Sequence, residues 1–387
     1  MKKISIVTGS RAEFGLLYPL IVELNKSRFF DVKVVVTGSH LDDKYGQTIK
    51  EIKDSNIKVD TKIKVPINIK KNSDMAKVVS TTINKFVDYF EKEKPDLLVI
   101  LGDRYEIFGV AIAASLSNIP IAHIAGGETT EGAVDEFLRH SITKMSYYHF
   151  ATNDVYRNRI IQLGENPKRV FNVGSLSVDN IKKEKLISLK DLEKELKIDL
   201  INKKYAIVTY HPETIDNDKK SIRELIKALN DNNNINYIIT KSNADAGGVQ
   251  INEIWDKEKI KHKNWVVCDS LGFKKYLSLL EHSSMMIGNS SSGMTEAPSL
   301  KIPTINIGNR QKGRFELESI VNCKCDSKEI SKAIKKASSQ KFVDRIRLME
   351  TPYGDGNSAK KIKKILEKKL IKEEIDLKKP FYDLVEY

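Results

Sequence analysis

The chain has 387 residues, of which 40% are hydrophobic and 30% charged, and its formal net charge is +13. This length exceeds the usual size of a single hydrophobic core, so we expect two domains. Its cysteines, Cys268, Cys323 and Cys325, are too few for a disulfide framework and wrongly spaced for a zinc knuckle, which predicts a cytoplasmic protein. No run approaches the ~18 apolar residues of a membrane-spanning helix, so we expect no membrane association.

The positive charge is consistent with nucleic-acid binding or with a lysine-rich surface. Most lysines lie on presumptive outer helix faces, such as 50–64, 182–204 and 360–379, without interleaved aromatic residues. No nucleic-acid-binding module is recognisable, so the sequence predicts no nucleic-acid partner. A positive field would still steer an anionic substrate towards the protein.

The first half of the chain alternates strand-like and helix-like stretches. Apolar, β-branched runs occur at 4–8, 32–37, 97–101, 119–125, 147–151 and 170–173. Helix-like stretches separate them at 16–26, 73–93, 105–117, 132–145 and 153–163. Continuous apolar strands that alternate with helices predict a parallel sheet covered on both faces.

The second half repeats the pattern after a Ser/Lys-rich stretch at 174–204, which is the predicted domain boundary. Its strand-like runs are 205–210, 236–240, 265–268, 284–288, 303–307 and 320–323. We therefore predict an α/β protein with two Rossmann-like domains, parallel sheets and an interdomain cleft. The expected domains cover residues 1–175 and 185–356, and residues 357–387 add a helix whose apolar stripe packs back on the first domain.

Two acids each follow a predicted buried strand. Asp103 comes after the run 97–101, and Glu128 comes after the run 119–125, with one helix-like stretch between them. Consecutive parallel strands usually lie close together, and ligands bind at their carboxyl ends. Asp103 and Glu128 therefore form a candidate acid/base pair, because a shared environment separates the pKa values of two carboxyl groups.

Two glycine-bearing turns are candidate phosphate sites. The first strand is followed by Gly9-Ser10-Arg11, where a helix start and a fixed cation suit an anion, although a capped helix with an exposed arginine is equally consistent. The run 284–288 is followed by Ser290, Ser291, Ser292 and Gly293 and then by Glu296, which could accept from two ribose hydroxyls. The alternative is an ordinary serine N-cap with a capping box.

Further candidates follow other predicted strands. His211 follows the run 205–210 and could bind phosphate or protonate a leaving group, or be an ordinary loop histidine. Asp135 and Arg139 are four residues apart on one helix face, as in a site or in a surface ion pair. His40 follows the second strand and is less specific. His123 lies within an apolar run, so we predict that it is buried in the core or contacts site residues without touching the substrate. No His/Cys/Asp cluster has metal-ligand spacing.

Taken together, these motifs resemble the hydrolysing UDP-N-acetylglucosamine 2-epimerases of sialic-acid biosynthesis. The resemblance covers nearly the whole chain and depends on the following segments: 9–15, 38–41, 102–106, 126–128, 135–144, 211–212, 288–293 with Glu296, and 305–310. It implies a glycosyltransferase-B-type fold that binds a UDP-sugar and releases UDP, with no metal or redox cofactor. The family tends to form dimers or tetramers, so a homo-oligomer is also implied.

The resemblance also implies a mechanism and a set of site residues. A carboxylate removes the C2 proton while UDP leaves from C1, and water then adds to the resulting glycal. The implied catalytic residues are Asp103, Glu128, Asp135, Arg139 and His211. The implied substrate-binding residues are Arg11, His40, Arg104, Asn243, Leu271, Ser290, Ser291, Ser292, Gly293, Glu296 and Arg310. Which acid serves which face of the sugar stays open.

Three alternatives compete with this interpretation. The first keeps the chemistry and changes the substrate to a UDP- or GDP-linked N,N'-diacetylbacillosamine, a sugar without a 6-hydroxyl that leads to legionaminic acid. The second is a glycosyltransferase, which shares the fold but transfers the sugar to an acceptor. The third is a non-catalytic UDP-sugar sensor, which would bind UDP without releasing it from a substrate.

Overall fold

The computed structural model describes residues 1–42, 48–69, 71–131, 133–212, 220–242 and 247–384. The chain forms two compact units. The first unit contains Met1–Glu128, Asp135–Lys183 and Pro352–Tyr387, and the second contains Thr129–Val134 and Glu184–Thr351. Each unit has its own parallel sheet and its own hydrophobic core. Within the described ranges, no helix combines the length and the apolar character needed to cross a membrane.

The first unit is built on seven parallel strands in the order β3-β2-β1-β4-β5-β6-β7. These strands are β1 (Lys2–Thr8), β2 (Phe30–Val36), β3 (Thr61–Lys62), β4 (Leu97–Leu101), β5 (Ile121–Ile124), β6 (Tyr148–Ala151) and β7 (Val170–Asn172). All five residues of β4 are buried, because helices cover both faces of this central strand.

In the described part of the first unit, eight helices surround the sheet. They are α1 (Arg11–Asn25), α2 (Ile49–Asp54), α3 (Asn72–Glu93), α4 (Tyr105–Leu116), α5 (Asp135–Met145), α6 (Asp154–Gln162), α7 (Leu176–Lys183) and, from the end of the chain, α15 (Ser358–Lys372). Helix α15 packs on α1 and α7. Its buried residues Ala359, Ile362, Leu366 and Leu370 join the core formed by β1, β4 and α1.

Asp179 fixes the start of α15. Its carboxylate accepts hydrogen bonds from the backbone N–H groups of Ser358 at 2.8 Å and Ala359 at 3.0 Å. The first N–H groups of a helix have no partner within the helix, so this buried carboxylate satisfies two of them. The contact joins two helices that are distant in sequence within the first unit.

The second unit has six parallel strands in the order β10-β9-β8-β11-β12-β13. Its strands are β8 (Tyr205–Thr209), β9 (Asn236–Thr240), β10 (Trp265–Cys268), β11 (Met285–Gly288), β12 (Thr304–Ile307) and β13 (Ile320–Cys323). Its helices are α8 (Leu189–Leu196), α9 (Lys220–Asp231), α10 (Gly248–Glu258), α11 (Gly272–His282), α12 (Glu296–Ser299), α13 (Ser327–Ala337) and α14 (Gln340–Arg347).

The parallel α/β architecture predicted from the sequence is confirmed in both units. The structure adds β3, a strand of only two residues at the sheet edge, which is too short to leave a periodic signal. It also places α7 and α8 in the Ser/Lys-rich stretch 174–204, and the two units divide between Lys183 and Glu184.

Candidate active site

Asp103 lies just beyond β4 and is held by a buried arginine of α5. Gly102, which precedes it, has a φ of +77°, so the chain turns through left-handed backbone as the strand ends. Nη2 of Arg139 donates a hydrogen bond to Oδ2 of Asp103. Arg139 is only 2% exposed, and a charge-assisted bond to a buried guanidinium fixes the carboxylate in place.

Glu128 lies beyond β5, the neighbouring strand, and contacts the same arginine. Nη1 of Arg139 donates to the backbone oxygen of Glu128 at 2.9 Å. The Glu128 side chain is buried, and its Oε1 accepts from Oγ1 of Thr152, which follows β6, at 3.3 Å. The structure therefore brings Asp103 and Glu128 together through Arg139.

The turn between β5 and Glu128 contains strained backbone. Ala125 has a φ of +61°, and Gly127 has a φ of +76°. Left-handed backbone costs an alanine roughly 1–2 kcal/mol, and such residues cluster where function requires a particular backbone path. A side chain at Gly127 would overlap the carbonyl oxygen of Tyr156. This turn therefore requires at least one glycine to bring Glu128 into place.

Asp135 is the first residue of α5 and lies one turn before Arg139. It is partly buried. The segment that leads to it, Thr129–Val134, groups with the second unit, where Nε of Arg314 donates to the backbone oxygen of Thr129 at 3.1 Å. Asp135 thus shares a helix with the arginine that bonds the carboxylate of Asp103 and the backbone oxygen of Glu128.

Arg104 is anchored by a second set of buried carboxyl groups. Its Nε donates to Oε1 of Glu106 at 2.6 Å, and Glu106 is completely buried. Glu13 is also buried, and its Oε2 accepts from the backbone N–H of Gly9 at 2.8 Å. Burial, and then the charge of Glu106, raise the pKa of Glu13 to about 8. One guanidinium and two carboxyl groups favour a protonated Glu13 because the cluster is then neutral.

Arg11 and His40 flank the turn after β1. Arg11 begins α1 and is partly exposed, and Ser10 caps this helix by accepting from the N–H of Glu13 at 3.4 Å. His40 is fully buried, with Nε2 3.0 Å from Oγ1 of Thr8 and Nδ1 2.8 Å from Oγ1 of Thr48. Burial lowers the pKa of His40 to about 3, so a neutral imidazole supports the turn from beneath.

In the second unit, His211 is joined to Asn289 by two hydrogen bonds. The N–H of His211 donates to Oδ1 of Asn289 at 2.7 Å, and Nδ2 of Asn289 donates to the oxygen of His211 at 2.8 Å. Nδ1 of His211 lies 3.1 Å from Oγ of Ser242. The ends of β8, β9 and β11 are therefore connected around one buried histidine.

The serine-rich loop begins where β11 ends. Gly288 has a φ of +140°, and a Cβ there would overlap the carbonyl oxygen of Thr209, so only glycine fits. Ser291–Gly293 form a short 3-10 turn, and the hydroxyl of Tyr276 donates to Oγ of Ser292 at 2.7 Å. Helix α12 then begins at Glu296, which is partly buried, and spans only four residues.

Arg310 and its neighbour support the same loop. Nη1 of Arg310 and Nε2 of Gln311 donate to the backbone oxygen of Asn289 at 3.2 and 2.7 Å. Leu271 precedes α11, is 8% exposed and joins the apolar core of the second unit. Asn243, the remaining predicted substrate-binding residue, lies outside the described residues.

Thr152 and Asn289 are among the residues at the candidate site that were not singled out from the sequence. Thr152 contacts Glu128, and Asn289 connects His211 with the loop of Arg310. Both follow the carboxyl end of a strand, β6 and β11, which is the signal that identified Asp103 and could have identified them as well.

Two Rossmann-like units, each with polar side chains at the carboxyl ends of its parallel strands, are the architecture of the glycosyltransferase-B-type fold. A solved structure with this fold is UDP-GlcNAc 2-epimerase from Neisseria meningitidis bound to UDP-GlcNAc, with a TM-score of 0.78 at 20% identity. The match covers 95% of this chain and 100% of that one.

Residues 22–367 match the profile of the family described as UDP-N-acetylglucosamine 2-epimerase. GDP/UDP-N,N'-diacetylbacillosamine 2-epimerase (hydrolyzing) from Campylobacter jejuni is 42% identical over 88% of each chain. Polysialic acid biosynthesis protein P7 from Escherichia coli is 39% identical over 100% of this chain and 98% of its own. The chain belongs to the hydrolysing UDP-N-acetylglucosamine 2-epimerase family and is an enzyme that acts on a nucleotide sugar.

Proposed function

We propose that this enzyme converts UDP-N-acetylglucosamine and water into N-acetylmannosamine and UDP, for sialic-acid biosynthesis. The observation that carries the proposal is the position of Arg139, which bonds the carboxylate of Asp103 and the backbone of Glu128 at adjacent strand ends. Inversion at C2 needs acid/base groups on both faces of the sugar ring. The end of this sheet offers three carboxyl groups, those of Asp103, Glu128 and Asp135, for that purpose.

In the proposed reaction, one carboxylate takes the C2 proton as the C1–oxygen bond to UDP breaks. The C2–H electron pair forms the C1–C2 double bond of a glycal, and the bond electrons leave with UDP. Water then adds its oxygen at C1 while a second acid gives a proton to the opposite face of C2, and the proton that the water loses passes to the carboxylate that this acid leaves. The first carboxyl group releases the original C2 proton to solvent. Arg139 keeps the acids at fixed positions throughout, which reduces the cost of orienting them in each step.

We propose that the second unit binds the UDP part of the substrate. His211 and the hydroxyl groups of Ser290–Ser292 suit the diphosphate, and Glu296 suits the ribose. Asn289 supports this arrangement because it fixes both the His211 backbone and the loop of Arg310. In the first unit, Arg11 and Arg104 supply fixed cations, whereas His40 acts through the turn that it supports.

Proton NMR of the reaction in deuterated water tests the proposal. We expect N-acetylmannosamine with deuterium at C2, together with released UDP. Retention of the C2 proton would contradict the elimination. Transfer of the sugar to an acceptor would indicate a glycosyltransferase, and UDP binding without turnover of either nucleotide sugar would indicate a sensor.

The acid/base roles are tested by Asp103→Asn and Glu128→Gln. We expect each to lower kcat by about 10²–10⁴-fold, the usual contribution of a positioned acid or base. UDP affinity, measured by calorimetry, should stay within a few-fold of wild type. Glu91→Gln, which changes an exposed carboxylate of α3, is the control and should leave kcat unchanged. Full activity in either site variant would remove that residue from the mechanism.

A second substrate is favoured by one specific observation. The C. jejuni relative at 42% identity is named for diacetylbacillosamine nucleotides, and so is a Legionella pneumophila relative at 33% identity. We propose the same chemistry on such a nucleotide sugar as the alternative. The kcat/KM values for the two substrates, measured side by side, decide between them.

We also infer that the enzyme acts in the cytoplasm as a homo-oligomer. The chain has three cysteines, which are too few for a disulfide framework and suit a reducing compartment. Fractionation of cells would test the compartment, and light scattering of the purified protein would test the oligomeric state.

A further inference from the structure

His123 is a buried histidine of β5 that the proposed mechanism does not use. Its Nε2 lies 2.7 Å from the backbone oxygen of Gly102, and its Nδ1 lies 3.2 Å from Oγ1 of Thr143. Gly102 precedes Asp103, and Thr143 lies on α5 four residues after Arg139. One side chain of β5 is therefore bonded to both elements that carry the Asp103–Arg139 pair.

The hydrogen-bond chemistry fixes the state of this ring. A carbonyl oxygen only accepts, so Nε2 of His123 carries the proton and donates to Gly102. Nδ1 then accepts from the hydroxyl of Thr143. Burial lowers the pKa of His123 to about 3, so this neutral tautomer persists across the pH range in which the enzyme would work. A histidine locked in this state does not exchange protons with a substrate.

A third element packs directly on this bond. A Cβ added to Gly126 would lie 3.0 Å from both Nδ1 of His123 and Oγ1 of Thr143. Gly126 belongs to the turn that leads to Glu128. The β4 turn, the β5 turn and α5 thus all meet at His123, on the inner side of the residues that form the candidate site.

We propose that His123 is a positioning residue that sets the placement of Asp103, Glu128 and Arg139 relative to one another. The inference rests on the proposed function for its kinetic consequence, but the placement itself can be measured without turnover. It predicts that loss of the two hydrogen bonds separates the β4 turn from α5 while the nucleotide-binding residues of the second unit stay unchanged.

The neighbouring strand supplies a matched control. His149 of β6 is the register partner of His123 and is equally buried. Its Nε2 lies 3.1 Å from Oε2 of Glu165, and burial lowers its pKa as well. His123→Gln and His149→Gln therefore each remove a buried imidazole from one of two adjacent strands. His123 bonds Gly102 and Thr143, whereas His149 bonds Glu165.

The experiment compares His123→Phe, His123→Gln and Thr143→Val with His149→Gln. We expect His123→Phe to lower kcat by about 100-fold, the usual cost of a small misplacement of catalytic groups, with KM and the Kd for UDP within about threefold of wild type. His123→Gln keeps a donor for Gly102 and Thr143→Val keeps the imidazole, so each should lose less. His149→Gln should keep the wild-type kcat.

Amide hydrogen exchange gives the readout that does not depend on activity. Exchange at residues 102–104 and 139–143 should rise at least about tenfold in His123→Phe, while His149→Gln leaves it unchanged. If wild type fails to release UDP but this exchange pattern holds, the proposed function is wrong and the positioning role stands. Unchanged exchange in His123→Phe, or an equal loss of kcat in His149→Gln, would overturn the inference.

Discussion

Glu13 is a buried carboxyl group that makes the stability of the folded protein depend on pH. The folded chain raises the pKa of this carboxyl group from 4.5 to about 8, chiefly through burial and then through the charge of Glu106. Between these pH values the folded protein holds a proton that the unfolded chain has released. Rising pH therefore favours the unfolded state, and stability falls across this window.

Glu13→Gln should remove this pH dependence because a neutral amide replaces the protonated acid. We expect the free energy of unfolding to fall less between pH 5 and pH 8 in the variant than in wild type, by at least ~1 kcal/mol. Urea unfolding at several pH values measures the difference. Glu91→Gln, at an exposed position of α3, should reproduce the wild-type slope, and an unchanged slope in Glu13→Gln would show that Glu13 is ionised when folded.

Individual site residues differed in how well their sequence context described them. The position of Asp103 beyond the end of a buried strand was predictable because it follows an uninterrupted apolar run and one glycine, whereas its role stays a prediction. The buried hydrogen bonds of the site could not be predicted from the sequence. The pairing of Glu106 with Arg104 and of Asn289 with His211 depends on side-chain directions, which leave no periodic pattern in the sequence. For His123 the apolar run indicated burial, but the bonds to Gly102 and Thr143 come from elements 21 and 20 residues away.

Two glycines at strand ends allow the free-energy cost of a steric overlap to be compared with the cost of left-handed backbone alone. Gly288 and Gly102 both end a central strand with positive φ, +140° and +77°. A Cβ at Gly288 would overlap the carbonyl oxygen of Thr209, whereas a Cβ at Gly102 would meet nothing within 4 Å. The same substitution at the two positions therefore tests different physical effects.

Gly288→Ala should destabilise the protein by several kcal/mol, because β11 or β8 must shift to relieve the overlap. Gly102→Ala should cost only ~1–2 kcal/mol, the conformational penalty of left-handed backbone for an alanine. Chemical denaturation of both variants gives the comparison. Equal losses would mean that the strand ends adjust freely and that the overlap at Gly288 is relieved at little cost.

Buried strands such as β4 were predictable from the sequence, whereas the bounds of short elements such as α12 and β3 were not, and the difference has a physical reason. The run 97–101 became β4 with the same bounds because burial on both faces demands continuous apolar residues. Helix α12 begins at Glu296 and spans only four residues. Short elements such as α12 and β3 are set by tertiary packing, which local sequence does not encode.

The hydrophobic core of the first unit includes residues from the beginning of the chain and from α15, near its end. The side chain of Leu366 is fully buried in its core, and α15 packs on α1. The long segment of the second unit, Glu184–Thr351, lies between Lys183 and Pro352, which both belong to the first unit. The apolar stripe of α15 is apparent in the sequence, whereas the helices that cover it, α1 and α7, are identified by the structure.

Leu366→Ala should destabilise the first unit by about 2–5 kcal/mol, as expected for a cavity in a packed core. Leu348→Ala is the control because its side chain is 88% exposed in the second unit. Hydrogen exchange resolved along the chain should show faster opening of β1, β4 and α1 in Leu366→Ala, with β8 and β11 unchanged. Equal acceleration in both units would mean that they unfold as one cooperative body.

The return of α15 to the first unit also has a consequence for biosynthesis. A ribosome that adds ~5–20 residues per second takes roughly 10 to 30 s to make Glu184–Thr351, the segment that separates α15 from the rest of the first unit. During that interval the faces of α1 and α7 that α15 will cover have no partner from this helix. All the strands of the second unit are made before α15 is. The second unit can therefore complete its sheet while the first unit still lacks one of its helices.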